Sequence, residues 1–194
     1  MISEQNRYLL LTRLPLLQGI SSTDLLGWED ALRLDLDVFP ASKFPLVREG
    51  EPCSQMLFLA EGDLQREYSS PDGRYRTRSL LKAPAVVEVD RLFGLNPTYE
   101  ATYRPATEVK MMGIGKAQLA SHLMKNEVFR LNLLNLLSAI AQRRATALQP
   151  CQLGSVEERL RHFVGNLFPN ADDEVELFIQ MKDLARYIGD SRLI

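Results

Sequence analysis

Apolar residues recur at helical steps toward both ends of the chain and alternate in short runs through its middle. Between Arg7 and Ile20, Leu9, Leu10, Leu14 and Leu17 keep three- and four-residue spacing across a break near Pro15, which predicts a short amphipathic helix. Ser21, Ser22 and Thr23 supply capping hydroxyls for a second helix from Asp24 to Leu34, with Leu25, Trp28 and Leu32 on one face. The period then shortens to two. Leu34, Leu36 and Val38 alternate with Arg33, Asp35 and Asp37, the pattern of a half-buried strand with its aliphatic residues inside.

From there to about Ile114, turn signals recur at Pro40, Pro45, Gly50, Pro52, Gly62, Pro71-Asp72-Gly73, Pro84, Gly94, Pro97, Pro105 and Gly113. Short runs lie between them: 56–59, 64–68, 76–81, 86–89 and 109–114. Many short strands with closely spaced turns predict a sandwich, jelly roll or barrel. Asp72-Gly73, between Gln65–Tyr68 and Arg74–Thr77, is the clearest hairpin. After Lys116 the helical period returns, with one or two turns over Ala117–Met124 and a long helix over Glu127–Gln149 closed by Pro150. In that helix Leu134, Leu137, Ala141, Arg144 and Leu148 approximate a heptad seam. Ser155 and Glu158 form a capping box for a helix through Leu160, Phe163, Val164 and Leu167. A polar loop, a strand over Val175–Ile179 and a short helix from Met181 to Ile188, ending at Gly189, complete the chain.

Composition narrows the functional classes. With 194 residues, 45% of them hydrophobic, 25% charged and a net charge of −2, the chain has core enough for one large or two small soluble domains. No stretch approaches the ~18 apolar residues of a membrane span, and no secretory signal is legible, so a cytoplasmic location without membrane contact is expected. Cys53 and Cys151 lack Cys-x-x-Cys spacing, and His122 and His162 both fall in helical segments, so neither a metal cage nor a redox pair is built, and no cofactor is expected. No nucleophile and base can be paired, which argues against an enzyme.

The segment LVREGEPCSQMLFLAEGD, residues 46–63, resembles the signature of cyclic-nucleotide-binding β-rolls, in which apolar strands meet glycine corners; Gly50 and Gly62 stand at places where tight corners call for positive φ. The element order downstream resembles the Crp/Fnr transcription regulators. SVEERLRHFV, 155–164, is similar to the first helix of their winged helix-turn-helix domain. MKDLARYIGDSR, 181–192, is similar to the start of the helix-turn-helix, with Leu184 and Ile188 facing the core, Ala185 at the close helix contact and Gly189 in the turn.

The resemblance implies an α+β chain in three parts: an antiparallel, jelly-roll-like effector domain over 1–115 with flanking helices, a long dimerisation helix over 116–150, and a winged helix-turn-helix over 151–194. That last part reads as truncated, since only 14 residues remain from Met181 where the motif takes ~20. It further implies a homodimer through Leu134, Leu137, Ala141 and Leu148, and DNA contacts from Lys182, Ser191 and Arg192. In family members that bind cyclic AMP, a Gly-Glu pair and an Arg-Ser or Arg-Thr pair hold the ribose and cyclic phosphate. The matching stretch here, AVVEVDRLFGLNPT (85–98), keeps Glu88 but has Val87 for the glycine and Pro97 near the arginine's place. A buried phosphate without a cation costs several kcal/mol, so cyclic AMP is not the expected effector. Glu88, Thr98 and Arg104 are the candidate pocket residues, with Arg91 a second cation within reach. The ligand stays open: an unidentified small molecule, or none. Residues 155–194 carry five basic and eight acidic side chains, a net of −3, which weighs against strong DNA binding by this stretch alone. The competing reading is a degenerate roll serving as a regulatory or protein-interaction module without direct DNA reading.

Overall fold

The computed structural model describes residues 4–32, 34–147, 154–167 and 174–189. Leu148, Cys151, Ser191 and Arg192 lie outside the described residues. Two helices open the chain, α1 (Glu4–Arg13) and α2 (Ser22–Leu32). The break expected near Pro15 is a turn in which Leu14, Leu16, Leu17 and Ile20 are all buried, so the apolar spacing serves the core on both sides of it. Ser21 caps α2: its hydroxyl accepts the Asp24 N–H at 3.1 Å.

The middle of the chain forms β1 (Asp37–Phe39), β2 (Gln55–Glu61), β3 (Asp63–Ser69), β4 (Tyr75–Lys82), β5 (Ala85–Val87), β6 (Ala101–Pro105) and β7 (Val109–Gly115), with a 3-10 turn at Val89–Arg91. Then come α3 (Lys116–Ser121), α4 (Glu127–Ala147), α5 (Val156–Leu167), β8 (Val175–Ile179) and α6 (Met181–Ile188). The strands make two antiparallel four-stranded sheets, ordered β1-β7-β2-β5 and β6-β3-β4-β8. The expected fold class, α+β with a closed antiparallel roll, is the one observed. The β3–β4 hairpin turns at Asp72-Gly73 as read, and Gly50 and Gly62 have φ of +82° and +83°. At Gly62 a Cβ would also run into the carbonyl oxygen of Glu108, so the corner excludes any side chain.

One strand is inverted relative to its sequence pattern. Asp37 pairs with Met111 and Phe39 with Val109, which places Asp37 and Phe39 on the inner side and leaves Val38 54% exposed beside Lys110. Only three residues are strand, and Leu34 is buried in the approach to it; the aliphatic alternation was spread over a bend.

A continuous buried cluster runs from Leu11 of α1 through Phe58, Met112 and Ile114 of β2 and β7 to Phe129 and Leu133 of α4. At about 25 cal/mol per Å² of apolar surface, side chains of this size contribute roughly 2 kcal/mol each when fully buried. The inner stripe of α4 continues as Leu136, Leu137 and Ile140, packed against the same cluster. Its outer stripe exposes Leu131, Leu134 and Ala141. Of the expected seam residues, Leu134 and Ala141 therefore face outward, whereas Leu137 packs on the chain's own core.

Strand β8 falls within the stretch expected to form a separate C-terminal unit. It is bonded into the roll's second sheet, from Tyr75↔Ile179 to Ser79↔Val175. The alternation of Val175, Leu177 and Ile179 with Glu176 and Phe178 suits this edge: the aliphatic residues share the face of Tyr75 and Thr77, and Glu176 pairs with Arg78 at 3.2 Å on the other. The capping box at the start of α5 is formed as read, with Ser155 N–H to Glu158 at 2.7 Å and Glu158 N–H to the Ser155 hydroxyl at 3.2 Å. Gly189, at φ +65°, ends α6.

Candidate effector site

The chain leaves β5 at Glu88 in the left-handed region, φ +38° and ψ +48°. A non-glycine residue held there costs on the order of 1–3 kcal/mol and persists only where its surroundings fix it. Two bonds do so: Glu88 accepts the Glu100 N–H at 2.5 Å and the Tyr103 hydroxyl at 3.0 Å. Burial pushes the Glu88 carboxyl above its ordinary pKa, while these two donors pull it back. The pairing of β3 with β6 sets Arg66 opposite Tyr103 on the inner face. There the Arg66 guanidinium lies 5.2 Å from the Tyr68 ring centroid. Burial drives both phenols upward, Tyr68 to about 12, so they remain neutral.

Two of the cations near Glu88, Arg91 and Arg144, are already paired. Arg91 donates to one oxygen of Glu100 at 2.5 Å, and Arg144, reaching in from α4, donates to the other at 3.0 Å and to Asp90 at 2.7 Å. The Glu100 carboxylate thus bridges two guanidiniums, an internal anion where an entering phosphate would need positive charge. A cyclic phosphate could take these arginines only by displacing a half-buried carboxylate and leaving it unpaired.

Of the residues singled out in the sequence, Glu88 stands at the centre of this cluster. Arg104 does not join it: it points to the opposite side of its sheet and pairs with Glu67 at 2.9 Å, because alternation along β6 turns it away from Tyr103. Thr98 bridges to Pro52 and makes no bond to Glu88. Lys182 is exposed in the first turn of α6. Arg66, Tyr103, Glu100 and Asp90 were not among the expected site residues. The signal for Arg66 was legible, since Leu64 and Tyr68 at two-residue steps place it on the inner face; Glu100 carried none. Cys53 is buried, and burial raises its thiol to about 11, leaving an unreactive structural side chain.

A second contact joins the roll to the C-terminal segment. Tyr75 meets Phe163 of α5 and Tyr187 of α6 edge-on, at 5.8 and 5.4 Å between ring centroids, and those two rings stack at 5.3 Å. The Tyr187 hydroxyl donates to Asp72 at 2.6 Å, and Arg74 lies 3.9 Å from Asp183. Among the described residues no cluster of three histidine, cysteine, aspartate or glutamate side chains could hold a metal, and no helix is long and apolar enough to cross a membrane.

No family model and no curated protein matches this chain. Solved structures do. The Thermus thermophilus catabolite activator protein superposes with a TM-score of 0.60 at 15% identity, over 92% of this chain and 81% of that one. The sensor domain of the transcriptional regulator DNR from Pseudomonas aeruginosa gives 0.59 at 20% identity, over 79% of this chain and all of that one. The regulatory subunit of a cAMP-independent protein kinase A from Trypanosoma brucei gives 0.54 at 20% identity, over 71% and 47% of the two chains. At these identities the likeness is one of fold: the chain has the α+β architecture of cyclic-nucleotide-binding β-rolls.

Proposed function

We propose that this chain is a subunit of a dimeric DNA-binding transcription regulator of the Crp/Fnr type, organised as an effector roll (1–115), a dimerisation helix (116–150) and a winged helix-turn-helix part (151–194). The carrying observation is the order of elements after the roll. A 21-residue α4 with an exposed Leu131, Leu134 and Ala141 stripe leads to a capped α5, then to β8 and an α6 that ends in a left-handed glycine. The outer stripe of α4 suits a second copy of the helix. Lys182, exposed in α6, suits a phosphate contact, and Ser191 and Arg192 would follow the turn as the first readers of base edges. The closed cluster of Glu100, Arg91 and Arg144 supports an effector other than cyclic AMP, and the roll's role is regulatory rather than catalytic.

A second reading, a protein-interaction module without DNA reading, is favoured by the docking of β8 on β4 and by the net charge of −3 over residues 155–194. A gel shift of the protein on palindromic promoter fragments separates the two. Salt-sensitive, sequence-selective retardation is expected on the first reading, and its absence favours the second. Sedimentation at micromolar concentration is expected to give a dimer that Leu134→Asp dissociates. Leu137→Asp would disturb the monomer's core as well and does not isolate the seam.

A further inference from the structure

Between β1, β2 and β7 on one side and the 46–55 stretch with Tyr99 on the other, the roll holds a cavity of about 500 Å³. That volume is in the range of small-molecule sites, roughly 300–1,000 Å³. No residue of the Glu88 cluster lines it. Its walls combine apolar surface, from Phe39, Leu57 and Met111, with acidic groups at Asp37 and Glu51. The space exists partly because Gly113, paired with Leu57, has no side chain. A Cβ there would sit 2.6 Å from the Gln55 amide oxygen, which lies over the glycine.

Three features define what would fit. Among the described residues, no lysine, arginine or histidine lines the cavity, whereas Asp35, Asp37 and Glu51 all do. Glu51 has an exposed contact to the Arg48 guanidinium at 3.7 Å and accepts the Arg48 N–H at 2.9 Å, and Asp37 is exposed with no ion pair among the described residues. Finally, Tyr99 is 7% exposed and lines the cavity, and among the described residues its hydroxyl has no hydrogen-bond partner, which leaves it free to bond a group that enters. Burial and the nearby Cys53, Glu88 and Glu51 keep that phenol protonated.

We propose that this cavity binds a small organic cation, an ammonium or guanidinium carried on a compact apolar body, with Asp37 and Glu51 facing the charge, Tyr99 accepting a hydrogen bond from it, and Phe39, Leu57 and Met111 covering the body. The site selects a sign of charge opposite to that of a nucleotide phosphate. It stands whether or not the chain reads DNA, because none of its residues belongs to the helical C-terminal segments.

The test is calorimetric titration of the full chain at neutral pH with three matched probes: phenethylamine, 2-phenylethanol and 3-phenylpropionate. Saturable binding is expected for phenethylamine, weaker by about tenfold for the alcohol, and none for the carboxylate. Asp37→Asn with Glu51→Gln is expected to weaken phenethylamine by about tenfold, and Tyr99→Phe by several-fold, with circular dichroism unchanged for these near-isosteric variants. Failure of phenethylamine to saturate, equal binding of the carboxylate, or undiminished affinity in the charge-neutralised variant would each overturn the proposal. A gel shift that fails while the amine binds would remove the DNA-reading assignment and leave this one intact.

Discussion

Beyond the apolar stripe of α4 on the core, two polar or aromatic contacts join the helical second half of the chain to the roll, and they are built from different forces. At the Glu88 cluster a single side chain of α4, Arg144, reaches the carboxylates of Asp90 and Glu100. At the β3–β4 hairpin, a five-residue strand is added to the sheet, and two aromatic rings from α5 and α6 close on Tyr75. The first contact is half-exposed charge, weak in water and sensitive to any change at Glu100. The second is backbone pairing with ring stacking, which forms or breaks as a unit.

The largest effect belongs to the aromatic contact. Phe163→Ala removes the ring that touches both Tyr75 and Tyr187 and is expected to cost about 2 kcal/mol, since the ring is only partly buried. Hydrogen exchange checks it: protection over 175–179 falls toward that of free backbone while β2 and β7 keep theirs. Equal loss in all strands would mean that roll and C-terminal segment unfold together and that the two contacts are not separable.

Next comes the support of Glu88. Tyr103→Phe leaves one oxygen of a largely buried carboxylate without its donor, and about 1–2 kcal/mol is expected at neutral pH by chemical denaturation. The sign with pH follows from the raised Glu88 pKa. The native chain holds the extra proton above the ordinary value of 4.5, so this group lowers stability as pH rises through its shifted pKa. The penalty of the variant shrinks as the medium is acidified and the carboxyl becomes neutral. A pH-independent penalty would assign the effect to packing.

These two regions were unequally legible in the sequence. The roll declared itself through local rules, glycine corners at Gly50 and Gly62 and the Asp72-Gly73 hairpin, and the Ser155–Glu158 capping box of α5 is local in the same way. Each is decided by residues close together in the chain. Glu88 was found through the resemblance of residues 85–98 to the ligand-holding stretch of the family, which is itself a short contiguous segment. What escaped depended on register and long-range approach. Glu100 meets Arg144 across 44 residues, and Arg144 read as a seam residue because helical spacing alone does not tell which stripe of α4 faces the roll. Arg104 and Tyr103 are neighbours with opposite fates, a distinction settled by which of them points inward from β6. The strand at 175–179 was legible as a strand, but no local rule names its partner. Val38 was misplaced because a three-residue strand is too short for alternation to fix its face.

Cutting the charge contact should matter less. Arg144→Ala removes ion pairs to Asp90 and Glu100, and its half-exposed side chain limits the loss to below about 1 kcal/mol. The informative readout is positional. Loss of this arginine frees one oxygen of Glu100 while Arg91 still holds the other, so exchange protection in the last turns of α4 falls and that of β8 does not. Coupled loss at both places would show that the contacts are one device.

The smallest effect is a titration, and it separates the contacts by sign. Asp72 is held down to about 2 from 3.8, first by the Tyr187 hydroxyl, then by the Ser70 hydroxyl. Its contribution is present above the ordinary carboxylate value and is lost as pH falls through about 2, the reverse of the Glu88 dependence. Acidification therefore loosens the hairpin contact while it relieves the largely buried Glu88 carboxylate. In Tyr187→Phe the Asp72 carboxyl, followed by carbon-detected NMR, is expected to titrate closer to 3.8, and the acid-induced loss of protection in β8 moves up in pH with it. An Asp72 titration unchanged by the loss of the phenol would place the hold on this carboxylate within the turn itself, at Ser70 and Arg74, and would leave the rings and the strand to carry the contact alone.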